Sequence, residues 1–334
     1  MTQPDSSQSP HRVTLLPGAW VGPEITAVMQ DVIAAAGVSI AWDTFDATDH
    51  VPEALLESAR STGVVVRGRM SGVRTKGQLP PVVHLRKSLG SWAMRREVKA
   101  IPGAPARFDN IDVVVVREAS EGIYTGMEHA VADGVFEAIK VTTAAACERI
   151  ARHAYEWARA NGRKKVSIVH KSNIMKKSDG LFLRTAQRVS KDFPDIQTDE
   201  VIVDALCMRL VRWPASFDVL LTGNLFGDIV SDLCSGLAGG LTASATTTLC
   251  DGVTLFENPH GKAPELVGRD LANPVPMVQT GVLLLRHLGE TTAADRITAA
   301  IEAVMASGCR TGDQGGDARC SEVRDALVSH LSNS

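Results

Sequence analysis

Strand-like and helix-like segments alternate along this chain, and that alternation predicts an α/β protein. Two apolar runs, residues 111–118 (IDVVVVRE) and 217–224 (FDVLLTGN), read as buried parallel strands. Between and around them lie amphipathic stretches at helical spacing, such as residues 22–37, with Ile25, Val28, Met29, Val32 and Ile33 on one stripe before Gly37. A chain of 334 residues with 44% apolar and 22% charged side chains can build one large or two medium domains with a real core.

In chain order, residues 12–18 (RVTLLPG) are extended and lead into the helix of residues 22–37. Residues 63–68 (GVVVRG) and then 111–118 read as strands, and the helix-patterned residues 141–162 separate the latter from a strand at 164–171 (KKVSIVHK). After the 217–224 strand comes another at 253–258 (VTLFEN), and residues 297–308 and 321–331 are amphipathic. Residues 68–83 are Gly/Pro-rich and basic, which predicts a long surface loop. No internal repeat is present.

Composition narrows the function. A net charge of −3 gives no drive toward nucleic acid or membrane. The first twelve residues are polar without the apolar core of a signal peptide, and no run is long enough to span a bilayer. Six cysteines without CxxC spacing argue for reduced thiols in a cytoplasmic protein and against a disulfide frame or zinc site.

The chemistry gathers at few places. Asp228 and Asp232 follow the 217–224 strand and share a face if that segment is helical. Open α/β sheets place ligands at the carboxyl ends of their strands. Paired carboxylates there suit Mg²⁺ or Mn²⁺; the plainer reading is a solvated helix face. Arg86, Arg96 and Arg117 could grip carboxylates two oxygens at a time, or form ordinary surface ion pairs. Tyr124 and Lys171 need an unusual environment to move protons at neutral pH. The turn LPGAWVGPE has Gly18 and Gly22 but no GxGxxG, so a dinucleotide here is bound by other means.

From about Arg12 to the C-terminus these segments, in this order, resemble the β-decarboxylating dehydrogenases that include isocitrate, 3-isopropylmalate, homoisocitrate and tartrate/D-malate dehydrogenases. The resemblance implies an isopropylmalate dehydrogenase-like two-domain fold with a mixed sheet and non-Rossmann dinucleotide binding. Its large cofactor-binding domain is discontinuous, residues 1–91 with 237–334, and a small domain, 92–236, carries a homodimer interface. By the same resemblance Arg86, Arg96 and Arg117 would hold the carboxylates of a malate-like core, Lys171 would take the hydroxyl proton, and Tyr124 would protonate the enolate left by CO₂. Asp204, Asp228 and Asp232 would bind Mg²⁺ or Mn²⁺, with Asp204 and Lys171 drawn from the partner subunit so that active sites would be shared. His260, Gly261, Asn273 and Asn173 would belong to the NAD site, and Glu265, unless it is simply a solvated loop residue, would favour NAD because a carboxylate repels a 2′-phosphate.

Several positions depart from the family's pattern. GDGIGPE reads GAWVGPE, with Ala19 and Trp20, and Trp92, Met94 and Glu97 are unusual. Pro80 and Val82 stand where isocitrate enzymes carry Ser and Asn, which disfavours isocitrate, while Val82 and Val83 suit an alkyl substituent. Arg67, Arg69, Arg74 and Lys76 make the neighbouring loop basic, through mere solvation or to meet an anionic substituent such as a phosphonate. The expectation is NAD-dependent oxidative decarboxylation of a 3-substituted malate, with a silent regulatory subunit or dehydrogenation without decarboxylation as alternatives.

Overall fold

The computed structural model describes residues 10–71, 79–258 and 260–333. Two compact units emerge, one of Met1–Leu89, Ile101–Ala106 and Gly239–Ser334, the other of Gly90–Ala100 and Arg107–Ala238.

The first unit opens with β1 (His11–Leu16), α1 (Gly22–Ala35), β2 (Ile40–Thr44), α2 (Glu53–Thr62), β3 (Val64–Arg67) and α3 (Pro81–Ser88). The second contributes β4 (Ala93–Lys99), β5 (Asp112–Glu118), β6 (Glu128–Ala132), β7 (Val135–Ala138), α4 (Ala144–Ala160) and β8 (Lys165–His170). It continues with α5 (Ser178–Ser190), β9 (Gln197–Ile202), α6 (Val203–Arg212), β10 (Val219–Thr222) and α7 (Asn224–Leu237). The chain then returns to the first unit for β11 (Ser244–Leu249), β12 (Thr254–Glu257), α8 (Val275–His287), α9 (Thr291–Ala306) and α10 (Cys320–Asn333).

Sheet topology confirms the α/β class and the mixed sheet. In the first unit the strand order is β2-β1-β3-β12-β11, parallel except for β11 against β12. In the second it is β4-β5-β10-β8-β9, parallel except for β4 against β5, and β6 and β7 form a separate antiparallel ribbon.

The apolar runs explain the centre of each sheet. Val113 to Val116 of β5 and Val219 to Leu221 of β10 are buried on both faces, as central parallel strands require. Each such side chain contributes roughly 1.5–3 kcal/mol on leaving water. Helix α1 starts at Gly22-Pro23, with proline in its first turn, and buries the five apolar residues of its stripe. Thr143 caps α4 by accepting the Ala146 amide at 3.2 Å.

The long-loop expectation for residues 68–83 is corrected at its end, because Pro81 to Val83 open α3. Residues 72–78, including Arg74 and Lys76, lie outside the described residues. Among the described residues no helix is long and apolar enough to cross a membrane.

Candidate active site

In the second unit, helix α7 begins two residues after β10 ends, so Asp228 and Asp232 do lie one turn apart on one helix. Thr222 of β10 pairs in register with Arg117 of β5, which brings Arg117 to the same strand ends as the start of α7. The buried Asn224 carbonyl accepts from Arg117 Nε at 3.1 Å and Nη2 at 2.7 Å, while its amide donates to the Glu121 carbonyl at 2.8 Å. Asn224 therefore fixes the guanidinium plane. Arg117 Nη1 donates to Asp228, and the Tyr124 hydroxyl donates to the other oxygen of that carboxylate at 2.5 Å. The Arg117 guanidinium also lies 5.1 Å from the Tyr124 ring centroid. Partial burial and the Asp228 carboxylate push the phenol up, so it stays protonated at neutral pH.

One turn further along α7, Asp232 accepts from Arg96 of β4. Lys171, directly after β8, pairs with Asp204 of α6 at 2.5 Å, and that contact holds the Asp204 carboxyl below its usual range. The second unit thus gathers Tyr124, Arg117, Arg96, Asp228 and Asp232 around α7, and places Lys171 with Asp204 as a separate pair. Asp204, Asp228 and Asp232 do not converge within one chain: among the described residues, the only acidic, His or Cys trio close enough to share a cation is Glu24, Asp270 and Cys320. As donors the three aspartates still fit a hard cation, being oxygen ligands with 44%, 73% and 69% of the Asp228, Asp232 and Asp204 side chains exposed.

The first unit holds the remaining substrate candidates. Arg86 of α3 is gripped by the buried Glu257 that ends β12, through Nε at 3.1 Å and Nη2 at 2.5 Å. Arg67 donates to the same carboxylate at 2.5 Å and is itself only 6% exposed. Arg67 thus ends β3, inside the strand expected at residues 63–68, and its burial against Glu257 corrects only the reading that counted it in a solvated basic loop. Arg69 binds His260 twice, through its amide to Nε2 at 3.2 Å and Nη1 to the carbonyl at 3.1 Å. Val82 and Val83 are half-buried on the first turn of α3, and Pro80 caps it without a side-chain hydrogen bond.

A cavity of about 620 Å³ in the first unit is lined by His260, Gly261, Asn273, Thr242, Asp313 and Gln314 among others. That volume suits one end of a dinucleotide. His260 donates from Nδ1 to the Gly261 carbonyl at 2.8 Å and accepts at Nε2, which assigns a neutral tautomer. Burial, with Arg67 and Arg69 close by, lowers its pKa to match. Both ring nitrogens being engaged, only the ring face is left to meet a ligand. Asn273 is likewise engaged, accepting from Val275 N at 3.0 Å and donating to Thr242 at 3.0 Å and Asp313 at 2.9 Å. Gln314, 5% exposed, donates to Thr242 at 3.0 Å but leaves its carbonyl oxygen buried without a donor. That oxygen is closed off from solvent, so an incoming hydrogen-bond donor completes it only if the amide turns toward the ligand. Glu265 is exposed in the short 3-10 turn Pro264–Leu266 and Asn173 is exposed after β8 in the second unit, and neither is among the residues that line this cavity.

The model of the isocitrate/isopropylmalate dehydrogenase family matches residues 12–327. This chain belongs to that family. It is 39% identical to a probable mitochondrial isocitrate dehydrogenase (NAD) alpha subunit of Drosophila melanogaster, covering 97% of this chain and 89% of that protein. It is 41% identical to a catalytic subunit of the mitochondrial isocitrate dehydrogenase (NAD) of Arabidopsis thaliana, over 98% of this chain and 90% of the relative. It is also 38% identical to a regulatory subunit of the corresponding Dictyostelium discoideum enzyme, over 96% of this chain and 90% of that one. The crystal structure of isocitrate dehydrogenase from Methylococcus capsulatus matches with a TM-score of 0.89 at 37% identity, covering 96% of this chain and 99% of that one.

Against the family pattern, Trp20 takes a left-handed backbone (φ 56°) where the motif has glycine, and its ring lies 5.6 Å below the Lys262 ammonium. Glu97 is absorbed by an ion pair with Arg95 at 3.0 Å. Sequence reasoning missed Asn224, Glu257 and Gln314. Only Glu257 carried a signal, as a lone acid ending an apolar strand.

Proposed function

We propose that this member of the family catalyses NAD-linked oxidative decarboxylation of a 3-substituted malate, giving a 2-keto acid and CO₂ in a cytoplasmic homodimer with shared active sites. The observation that carries the reading is the Asp228 carboxylate, met at once by Arg117 and by the Tyr124 hydroxyl. A carboxylate-gripping cation, a proton-bearing phenol and a metal-type ligand are thereby within hydrogen-bond reach of one another.

When bound, NAD supplies the hydride acceptor, and a divalent cation held by Asp228, Asp232 and the partner's Asp204 supplies charge that stabilises a developing oxyanion. The chain's own groups do the rest. Arg96 and Arg117 hold substrate carboxylates, with Asn224 keeping Arg117 in plane. The partner's Lys171 accepts the hydroxyl proton as hydride leaves carbon 2. The bond to the β-carboxylate then breaks, its electrons forming the enolate as CO₂ departs, and Tyr124 delivers a proton to carbon 3.

The separation of the Lys171–Asp204 pair from the α7 cluster supports a site completed by a second copy, as do the half-exposed Met208, Val211 and Trp213 on and after α6 and Ile229 on α7. Pro80 and Val82 provide no donor for a third carboxylate, so activity with isocitrate is expected to be weak, with the substituent either alkyl or, given Arg69, anionic. The regulatory-subunit names among the relatives give substance to a silent subunit, but Tyr124, Lys171 and all three aspartates are present here.

The test is a panel of 3-isopropylmalate, tartrate, D-malate, isocitrate, homoisocitrate and 3-phosphonomethylmalate, with and without Mn²⁺, reading NADH and CO₂ together. Equal NADH and CO₂ that require the metal are expected from at least one substrate. No turnover on any of them defeats the proposal, and NADH without CO₂ defeats the decarboxylation. Site sharing has its own assay. Co-expressed Tyr124→Phe and Lys171→Met chains, each inactive alone, should regain about a quarter of wild-type activity, because half the dimers then carry one intact site.

A further inference from the structure

We infer that Gln314 reads the nucleobase of the bound dinucleotide, its side-chain carbonyl accepting a hydrogen bond from the exocyclic amino group of adenine. The inference rests on the NAD reading above and assigns a specificity-determining residue within it.

The polar groups of the first-unit cavity divide by whether they are satisfied without a ligand. His260 uses both ring nitrogens, on the Gly261 carbonyl and the Arg69 amide. Asn273 uses its carbonyl on Val275 N and both amide hydrogens on Thr242 and Asp313. Neither gains much from a base edge, since a new bond there only adds to or replaces one already made. Gln314 differs. Its Nε2 is tied to Thr242 at 3.0 Å, while Oε1 is buried and has no donor. An acceptor left unmatched in a buried site gains the most from a ligand donor, because binding removes a desolvation penalty as well as forming a bond. The oxygen is closed off from solvent as it stands, and the torsion that aims the glutamine amide is broad, so the inference requires that amide to turn toward a base held in the cavity.

The network fixes the Asn273 amide and leaves Gln314 two orientations. Val275 N and Asp313 fix which end of Asn273 is carbonyl and which is amide, so Asn273 Nδ2 must donate to Thr242 Oγ1. Thr242 can then accept a second hydrogen from Gln314 Nε2, or donate its own to a reversed Gln314. The first arrangement presents a carbonyl and selects a base bearing an amino group. The reversed one presents an NH₂ and selects a base bearing a carbonyl. Adenine and hypoxanthine differ at that position, which makes the choice measurable.

Calorimetric titration of NADH and of its hypoxanthine analogue into wild-type enzyme, Gln314→Leu and Gln314→Met tests this. Gln314→Met keeps the side-chain length should the leucine variant not fold. Wild type is expected to bind NADH about tenfold more tightly than the analogue, and the variants to lose about that factor for NADH and bind both alike. Equal wild-type affinities, a preference for the analogue, or a preference that survives in a folded variant overturns the assignment and leaves the NAD reading intact. Absence of any NADH binding to wild type defeats both.

Discussion

Glu257→Gln tests the buried ion cluster that holds Arg86. The wild-type carboxylate, 2% exposed, accepts two hydrogen bonds from Arg86 and one from Arg67. Burial alone would raise its pKa, but the two guanidinium groups outweigh that and hold the carboxyl well below the ordinary range. Replacing it with a neutral amide keeps the shape and leaves two neighbouring cations facing each other, Arg67 deeply buried. Breaking such a cluster by removing one partner costs about 3–5 kcal/mol. For a unit of roughly 150–250 residues each kcal/mol lowers Tm by about 2–4 °C, so the first unit should melt about 6–20 °C lower. The pH dependence has a definite sign. A carboxyl with a depressed folded pKa contributes stability above its unfolded value of 4.5, lost progressively as pH falls toward the folded value. Wild type should therefore lose stability steeply below pH 4.5 and the variant less so. Calorimetry between pH 3 and 7 measures both. A variant melting within about 2 °C of wild type, with an unchanged acid slope, would refute the reasoning.

A Cβ added at Gly227 would meet Thr222 Oγ1 at 2.4 Å and Arg117 Cγ at 2.5 Å. Gly227→Ala should thus cost about 1–3 kcal/mol in urea unfolding and raise the substrate KM by displacing Arg117, with NAD affinity by calorimetry unchanged. Glu265→Lys should shift the ratio of kcat/KM for NAD over NADP toward NADP by about tenfold, most strongly at low salt. A constant ratio would remove Glu265 from cofactor choice.

The sequence revealed most where one face of physics dominates. β5, β10 and α1 were legible because continuous or 3.6-spaced apolar residues have few other uses. β2 and β9, outermost in their units, escaped notice because nearly all their side chains are exposed or only half-buried and no apolar run forms. The spacing of Asp228 and Asp232 was visible, but their partners Arg117 and Arg96 lie more than a hundred residues away, where periodicity carries no information. Glu257 was hidden for the same reason, its partners being 171 and 190 positions off. Arg67 lay inside the strand read at residues 63–68 yet was also counted with the basic loop, because nothing local in the sequence shows that Glu257, 190 positions away, receives its charge.

The order of strands in the first unit has a consequence for the growing polypeptide. β3 leaves the ribosome early, yet its parallel neighbour β12 follows about 190 residues later, Val64 pairing with Thr254. At about 5–20 residues per second, that edge stays bare for roughly 10–40 s while the whole inserted unit emerges. A nascent chain arrested before Glu257 therefore exposes an apolar ladder with no mate, and chaperone capture of such stalled chains should end abruptly once β12 clears the exit tunnel.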